Sequence, residues 1–119
     1  MSGPLVATTT QVEGLYPGDT WSGPIVTWTR ERCRGGTLTV LLGSDPSLYQ
    51  EDQVVTASVN GEAVGRVTIA PFDIKALRVR TVPVNGTCRV LFRMAKTKVP
   101  GGADPRELGA HFRAFEYRP

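Results

Sequence analysis

The chain has 119 residues, 40% of them hydrophobic and 21% charged, which suits one domain with its own core and leaves no room for two. No run approaches the roughly 20 consecutive apolar residues of a membrane span, and Met1-Ser2-Gly3-Pro4 has no basic-then-apolar signal pattern. The chain as given is therefore expected to be soluble, without direct membrane insertion, any targeting information lying upstream in a longer parent. Net charge is +3 but lopsided: residues 1–59 carry three basic and six acidic groups, residues 60–119 eleven basic and five acidic.

That basic half raises nucleic acid as a partner. Arg78 and Arg80, however, alternate with Leu77 and Val79, and Arg89 and Arg93 with Cys88, Val90 and Phe92. This is the pattern of the solvated face of half-buried strands, with cations spread over several strands rather than clustered with stacking aromatics, so nucleic acid is set aside.

In chain order, a weak strand signal at 5–12 follows a loose start at 1–4. Strands are predicted at 25–32, 37–42, 54–59, 63–69, 77–82, 88–94 and 111–117, all rich in residues that pack on a pleated surface. Gly35-Gly36, Gly43-Ser44-Asp45-Pro46, Ala70-Pro71-Phe72-Asp73 and Pro100-Gly101-Gly102 supply turn chemistry between them. Apolar spacing of three and four is absent, so at most one helical turn is expected, at 46–49. Asn60-Gly61 and Asn85-Gly86 each lie between extended runs, the strongest short-range hairpin signal, and predict hairpins 54–69 and 77–94. About eight short strands at this spacing read as an all-β antiparallel β-sandwich or jelly roll. Residues 1–14 are taken as a segment joining the sandwich, and 15–119 as the single domain.

Alternation places Leu38, Val40 and Leu42, then Val67 and Ile69, then Val90, Phe92 and Met94 inside. In the last strand Ala110, Phe112 and Ala114 compete with Phe115 and Tyr117 for the interior, and a bulge would reconcile them.

The final corner, Asp104-Pro105-Arg106-Glu107-Leu108-Gly109, is shaped by a proline of fixed φ and an extended residue before it. Together with Trp21-Ser22-Gly23-Pro24, Cys33-Arg34-Gly35-Gly36, Ser44-Asp45-Pro46 and Cys88-Arg89-Val90, it resembles the galactose-binding-like, jelly-roll carbohydrate-binding modules at the C-terminus of bacterial membrane glycosyltransferases. The likeness runs from about Leu15 onward. It implies a non-catalytic module on the extracytoplasmic side of a bacterial cell envelope, holding an oligosaccharide or cell-envelope glycan beside a parent membrane enzyme. The alternative is a structural or interaction sandwich without sugar affinity.

Trp21, in a Gly/Pro/Ser loop with Tyr16 and Asp19 close by, is the aromatic best placed to stack on a sugar; Tyr49, beside Asp45, is a second. Loop anchoring is the alternative role for Trp21. Trp28, in mid-strand, is assigned to the core. Asp104 and Arg106 are read as a structural clamp, since an arginine fork commonly ties its own loop to a neighbouring acid. The single histidine, His111, lacks a nucleophile elbow and is read as a surface or corner residue, so no catalytic residue is assigned.

Cys33 and Cys88 do not make a zinc site. At strand edges they are placed to meet across a sandwich, and the extracytoplasmic setting implied by the resemblance makes that pair a disulfide; two buried thiols are the alternative. No cofactor is assigned. A structural calcium ion is the one metal considered, with Glu13 and Glu116 as its carboxylates. Asn85-Gly86-Thr87 matches a glycosylation acceptor, which its turn role already explains.

Overall fold

The computed structural model describes residues 9–119. Eight strands follow one another: β1 (Thr10–Leu15), β2 (Ser22–Glu31), β3 (Gly36–Gly43), β4 (Gln53–Val59), β5 (Glu62–Ile69), β6 (Ile74–Thr81), β7 (Thr87–Met94) and β8 (His111–Arg118). They form two antiparallel sheets, ordered β1-β2-β7-β4-β5 and β6-β3-β8. The runs 2-7-4-5 and 6-3-8 are those of a jelly roll whose first strand has moved to the β2 edge. The chain is thus the all-β sandwich its turn spacing predicts. The weak signal at 5–12 overlaps β1 at 10–12, and its residues 5–8, like the start at 1–4, lie outside the described residues.

Alternate residues of the two sheets meet in one core. Leu38, Val40 and Leu42 of β3 face Val55 and Ala57 of β4 and Val90 and Phe92 of β7, all fully buried. Trp28 is buried among them, and each such large side chain contributes on the order of 1.5–3 kcal/mol of transfer free energy. Val67 is only partly buried, because β5 is a sheet edge. On β8 the pairing skips Arg113, between Leu42↔Phe112 and Leu41↔Ala114. The extra residue reverses the side-chain alternation: Ala110 and Phe112 are buried before it, Ala114 is exposed, and Phe115 and Tyr117 pack on the core after it.

The two Asn-Gly turns have different fates. Asn60 (φ 51°) and Gly61 (φ 84°) close a true hairpin between β4 and β5. Asn85 (φ 52°) and Gly86 (φ 78°) form the same left-handed pair, closed by Val84 and Thr87 through bonds of 2.9 and 3.1 Å. The predicted hairpin 77–94 is nevertheless absent, because β6 belongs to the three-stranded sheet and β7 to the five-stranded one. Pro83, with no N–H to donate, stands where the ladder would continue, and the chain crosses between sheets there. At 46–49 a single turn forms, with Leu48 and Tyr49 donating to the Asp45 carbonyl.

Cys33 and Cys88 are bonded, with Cα atoms 5.7 Å apart, and both are buried. The bridge does not span the sandwich as expected. Cys88 lies opposite Arg30 on neighbouring β2, and Arg32 (φ 56°) turns the chain just past the strand so that Cys33 comes back over β7. The Cys33 N–H donates to the Gly86 carbonyl at 2.7 Å, tying the same corner. The disulfide therefore staples the β2–β3 connection onto a strand of its own sheet. A 55-residue separation makes its chain-entropy contribution about 4 kcal/mol. The Cys33→Ser, Cys88→Ser double variant is expected to lose stability of that order in urea unfolding, and an unchanged midpoint would show that the bridge adds nothing.

Candidate functional site

Three connections gather at one end of the sandwich: residues 16–21, 44–52 and 95–110. They enclose a second small core of Trp21, Tyr49 and Leu108, with Tyr16 and Leu48 packed against it. The first residue of β4 holds this end together. Gln53 is fully buried, as its inward phase with Val55, Ala57 and Val59 requires. Its amide nitrogen donates to the Lys96 and Gly109 carbonyls, 2.8 Å each, and lies 3.2 Å from the Tyr49 hydroxyl. Its oxygen accepts from the Lys96 N–H at 3.3 Å. The Tyr49 hydroxyl donates to the Leu108 carbonyl at 2.7 Å. Burial pushes this phenol up to about 12, with the Glu51 charge adding to the shift.

Two of the predicted sugar-contacting aromatics therefore have other work. Tyr49 is entirely enclosed and cannot meet a ligand, because its ring fills the space under the loops and its hydroxyl is held by backbone. Trp21 is only 9% exposed, not the open platform expected, because its loop folds inward and pairs with the start of β8. His111 stacks on the Trp21 ring with centroids 3.8 Å apart, and its Nδ1 shares a hydrogen bond with Thr20 Oγ1 at 2.6 Å. The backbone of this junction is continuous: Gly109 and Phe112 donate to the Ser22 and Thr20 carbonyls. A side chain at Gly109 would press on the Gly23 carbonyl at 2.7 Å, so this position admits glycine alone.

Arg106 links the first and third connections. Its Nε and one terminal nitrogen grip both oxygens of Asp104, at 2.9 Å each, while the other terminal nitrogen reaches Asp19 at 2.8 Å. Asp104 also accepts from the Arg106 N–H, and Asp19 from the Trp21 N–H, so each carboxylate caps its own loop. The guanidinium lies 5.1 Å over the Tyr16 ring, and the Tyr16 hydroxyl donates to the Glu107 carbonyl. The bonds to Arg106 hold both Asp19 and Asp104 below the ordinary carboxylate range.

Between these parts lies a cleft of about 280 Å³, just below the small-ligand range of roughly 300–1,000 Å³. Asp19, Trp21, Asp45, Asp104 and Arg106 all line it, so one place gathers three of the five predicted ligand residues and both clamp residues. Tyr16 stands behind Arg106 instead, and Tyr49 lies beneath the floor. Asp45 accepts from the Ser47 N–H at 2.8 Å, and hydrogen bonds from Ser47 lower its pKa. His111, also on the lining, has its pKa lowered by desolvation and then by Arg113, against the opposing pull of Asp45 and Asp19. The cleft thus presents fixed carboxylates, a guanidinium and a neutral imidazole beside an aromatic edge. His111 and Gln53 were not assigned these roles from sequence. The inward phase of Gln53 in β4 was legible, whereas the stacking of His111 on Trp21 depends on a contact ninety residues away.

The calcium carboxylates are not brought together. Glu13 lies on β1 and Glu116 on β8, in different sheets, and Glu116 is paired with Arg118 at 2.6 Å. Among the described residues no group of three or more His, Cys, Asp or Glu side chains converges, so these two do not form the oxygen-rich cage calcium needs.

The clamp has a pH signature. Carboxylates whose folded pKa is depressed contribute stability that is present above their unfolded pKa and lost as pH falls through the folded one. Unfolding midpoints are therefore expected to fall as pH drops below about 4, and Arg106→Ala should flatten that slope as well as lower the midpoint at neutral pH. Arg106→Lys should recover little, lacking the fork. Parallel acid slopes for parent and alanine variant would contradict the clamp.

Neither a family model nor a curated protein matches this sequence. Among solved structures the chain is similar to a family 6 carbohydrate-binding module studied by sub-site dissection with crystallography and calorimetry, at 10% identity and a TM-score of 0.40, covering 94% of this chain and 83% of that one.

Proposed function

We propose that the chain is a non-catalytic carbohydrate-binding domain that holds a sugar unit of an oligosaccharide in the loop-end cleft. The observation that carries this reading is the convergence of Asp19, Asp45 and Arg106 around the Trp21–His111 stack in a cleft of about 280 Å³. Sugar hydroxyls need fixed donors and acceptors, and the CH face of the ring packs on an apolar surface, best an aromatic or imidazole one. Hydrogen bonds favour the charged form of Asp19, Asp45 and Asp104 alike, whereas glycoside hydrolysis needs one carboxyl kept protonated as an acid. Binding without turnover fits that chemistry better.

On the resemblance in sequence, the proposal extends to an accessory domain of a bacterial membrane glycosyltransferase that faces the cell envelope and holds its glycans. The disulfide supports an oxidising compartment. A second reading, an interaction domain without sugar affinity, is favoured by the burial of Tyr49 and most of Trp21, which leaves no exposed aromatic pair among the described residues.

Calorimetry against cell-envelope oligosaccharides separates the two. The first predicts a dissociation constant of about 0.01–1 mM, since one ring and a few solvent-competing hydrogen bonds support no more. Asp45→Asn keeps an acceptor for Ser47 but loses the charge, and should weaken binding about tenfold with the fold intact. Absence of heat at millimolar sugar, or parent-like binding by both Asp45→Asn and His111→Ala, transfers the case to the interaction domain.

A further inference from the structure

The outer face of the five-stranded sheet takes no part in the loop-end cleft. Towards the disulfide end it hollows into a groove of about 680 Å³, larger than the loop-end cleft, floored by β7 and bounded by the two Asn-Gly turns. Arg89, Leu91 and Arg93 project into it from β7, with Ser58, Asn60 and Thr87 around them. We infer that this groove is a second binding site, for an acidic oligosaccharide whose carboxylate or sulfate groups pair with Arg89 and Arg93.

The two arginines are exposed, and neither belongs to an ion pair or donates a side-chain hydrogen bond among the described residues. In this protein other arginines are visibly used: Arg106 is spent on its clamp, Arg118 on Glu116, and Arg30 lies over the Tyr117 ring. Arg89 and Arg93 stand four residues apart on one strand, hence on one face and about 13 Å apart along it. Arg66 extends the set. It faces Thr56 from β5 as Arg93 does from β7, which puts it about 10 Å across the sheet from Arg93, and it too is exposed and without an ion pair. Two carboxylates border the set on the β2 side: Glu31, opposite Thr87, stands one diagonal position from Arg89, and Glu13, opposite Thr27, is two strands from Leu91, but neither forms an ion pair with the arginines among the described residues.

The rest of the surface suits a glycan. Leu91, half-buried between the two cations, is an apolar step for a ring face, and rows of hydroxyls flank it, Thr27 and Thr29 on β2, Thr56 and Ser58 on β4. Among the described residues no aromatic side chain lines the groove, so single-stranded nucleic acid lacks the stacking platform that holds its bases. A peptide cannot add as a strand, because β7 and β4 are interior and their backbone groups are already paired on both sides.

The test uses the whole chain in calorimetry against oligouronates, sulfated oligosaccharides, neutral oligosaccharides of equal length and an oligothymidylate. An acidic glycan should bind at least tenfold more tightly than its neutral counterpart, with affinity falling as salt rises. Arg89→Ser and Arg93→Ser should each weaken it severalfold, and the double variant should abolish it. Arg78→Ser, on the outer face of the other sheet, should leave it unchanged. Preference between the uronate and sulfate ligands identifies which anion the arginines take. The inference falls if neither acidic glycan binds, if Arg78→Ser weakens binding as much as the groove variants, or if the oligothymidylate binds more tightly than both glycans. Binding of neutral sugars in the loop-end cleft should survive the double variant, so either site stands or fails by itself.

Discussion

One buried amide fixes the end of the sandwich on which the proposed function rests. Gln53 opens β4 with its side chain turned into the protein, and its polar atoms meet backbone near both ends of the 95–110 connection, at Lys96 and Gly109. A buried amide left unpaired costs about 1–3 kcal/mol for each missing partner, so these loops are held to a geometry that satisfies it. Tyr49 extends the arrangement to Leu108, and the ring of Tyr49 then supports Trp21, on which His111 lies. The cleft is the outer surface of that stack. Without the amide the loops would have apolar contacts but no fixed register, and the polar groups around the cleft would not converge.

The two ends of the molecule are secured by different chemistry. At the loop end a neutral hydrogen-bond hub lies beneath a charged clamp, Arg106 between Asp19 and Asp104, and acid weakens the clamp without touching the hub. At the other end a disulfide and two left-handed turns hold short connections. Long loops need side chains to define them, whereas short ones are defined by backbone geometry.

Much of the strand content was legible because it depends on local pattern. The alternation of Leu38, Val40 and Leu42, the bulge on β8 and the Asn60-Gly61 hairpin all follow from nearest neighbours. Sheet membership did not follow in this way. Asn85-Gly86 carries the same turn signal as Asn60-Gly61, yet Pro83 and the crossing between sheets make it the corner of a connection. Likewise the cysteines were rightly placed near strand ends, but a link within one sheet requires the order β2-β7, which no local pattern reveals. The aromatic loop residues misled for a related reason: Tyr49 beside Asp45 and Gln50 looks like surface chain, and only the distant Leu108 and Gln53 draw it inside. The Asp104-to-Gly109 corner was legible as a shape, and its partner Asp19 was not.

Native-state hydrogen exchange on Gln53→Met tests the central claim most directly, because methionine keeps the volume and removes every polar partner. If the amide organises the loop end, the Lys98, Leu108 and Gly109 N–H groups should lose most of their protection, while the core amides of β3 and β7 keep theirs. Equal protection of these loop amides in variant and parent would mean that apolar packing alone sets the loop geometry, contradicting the account.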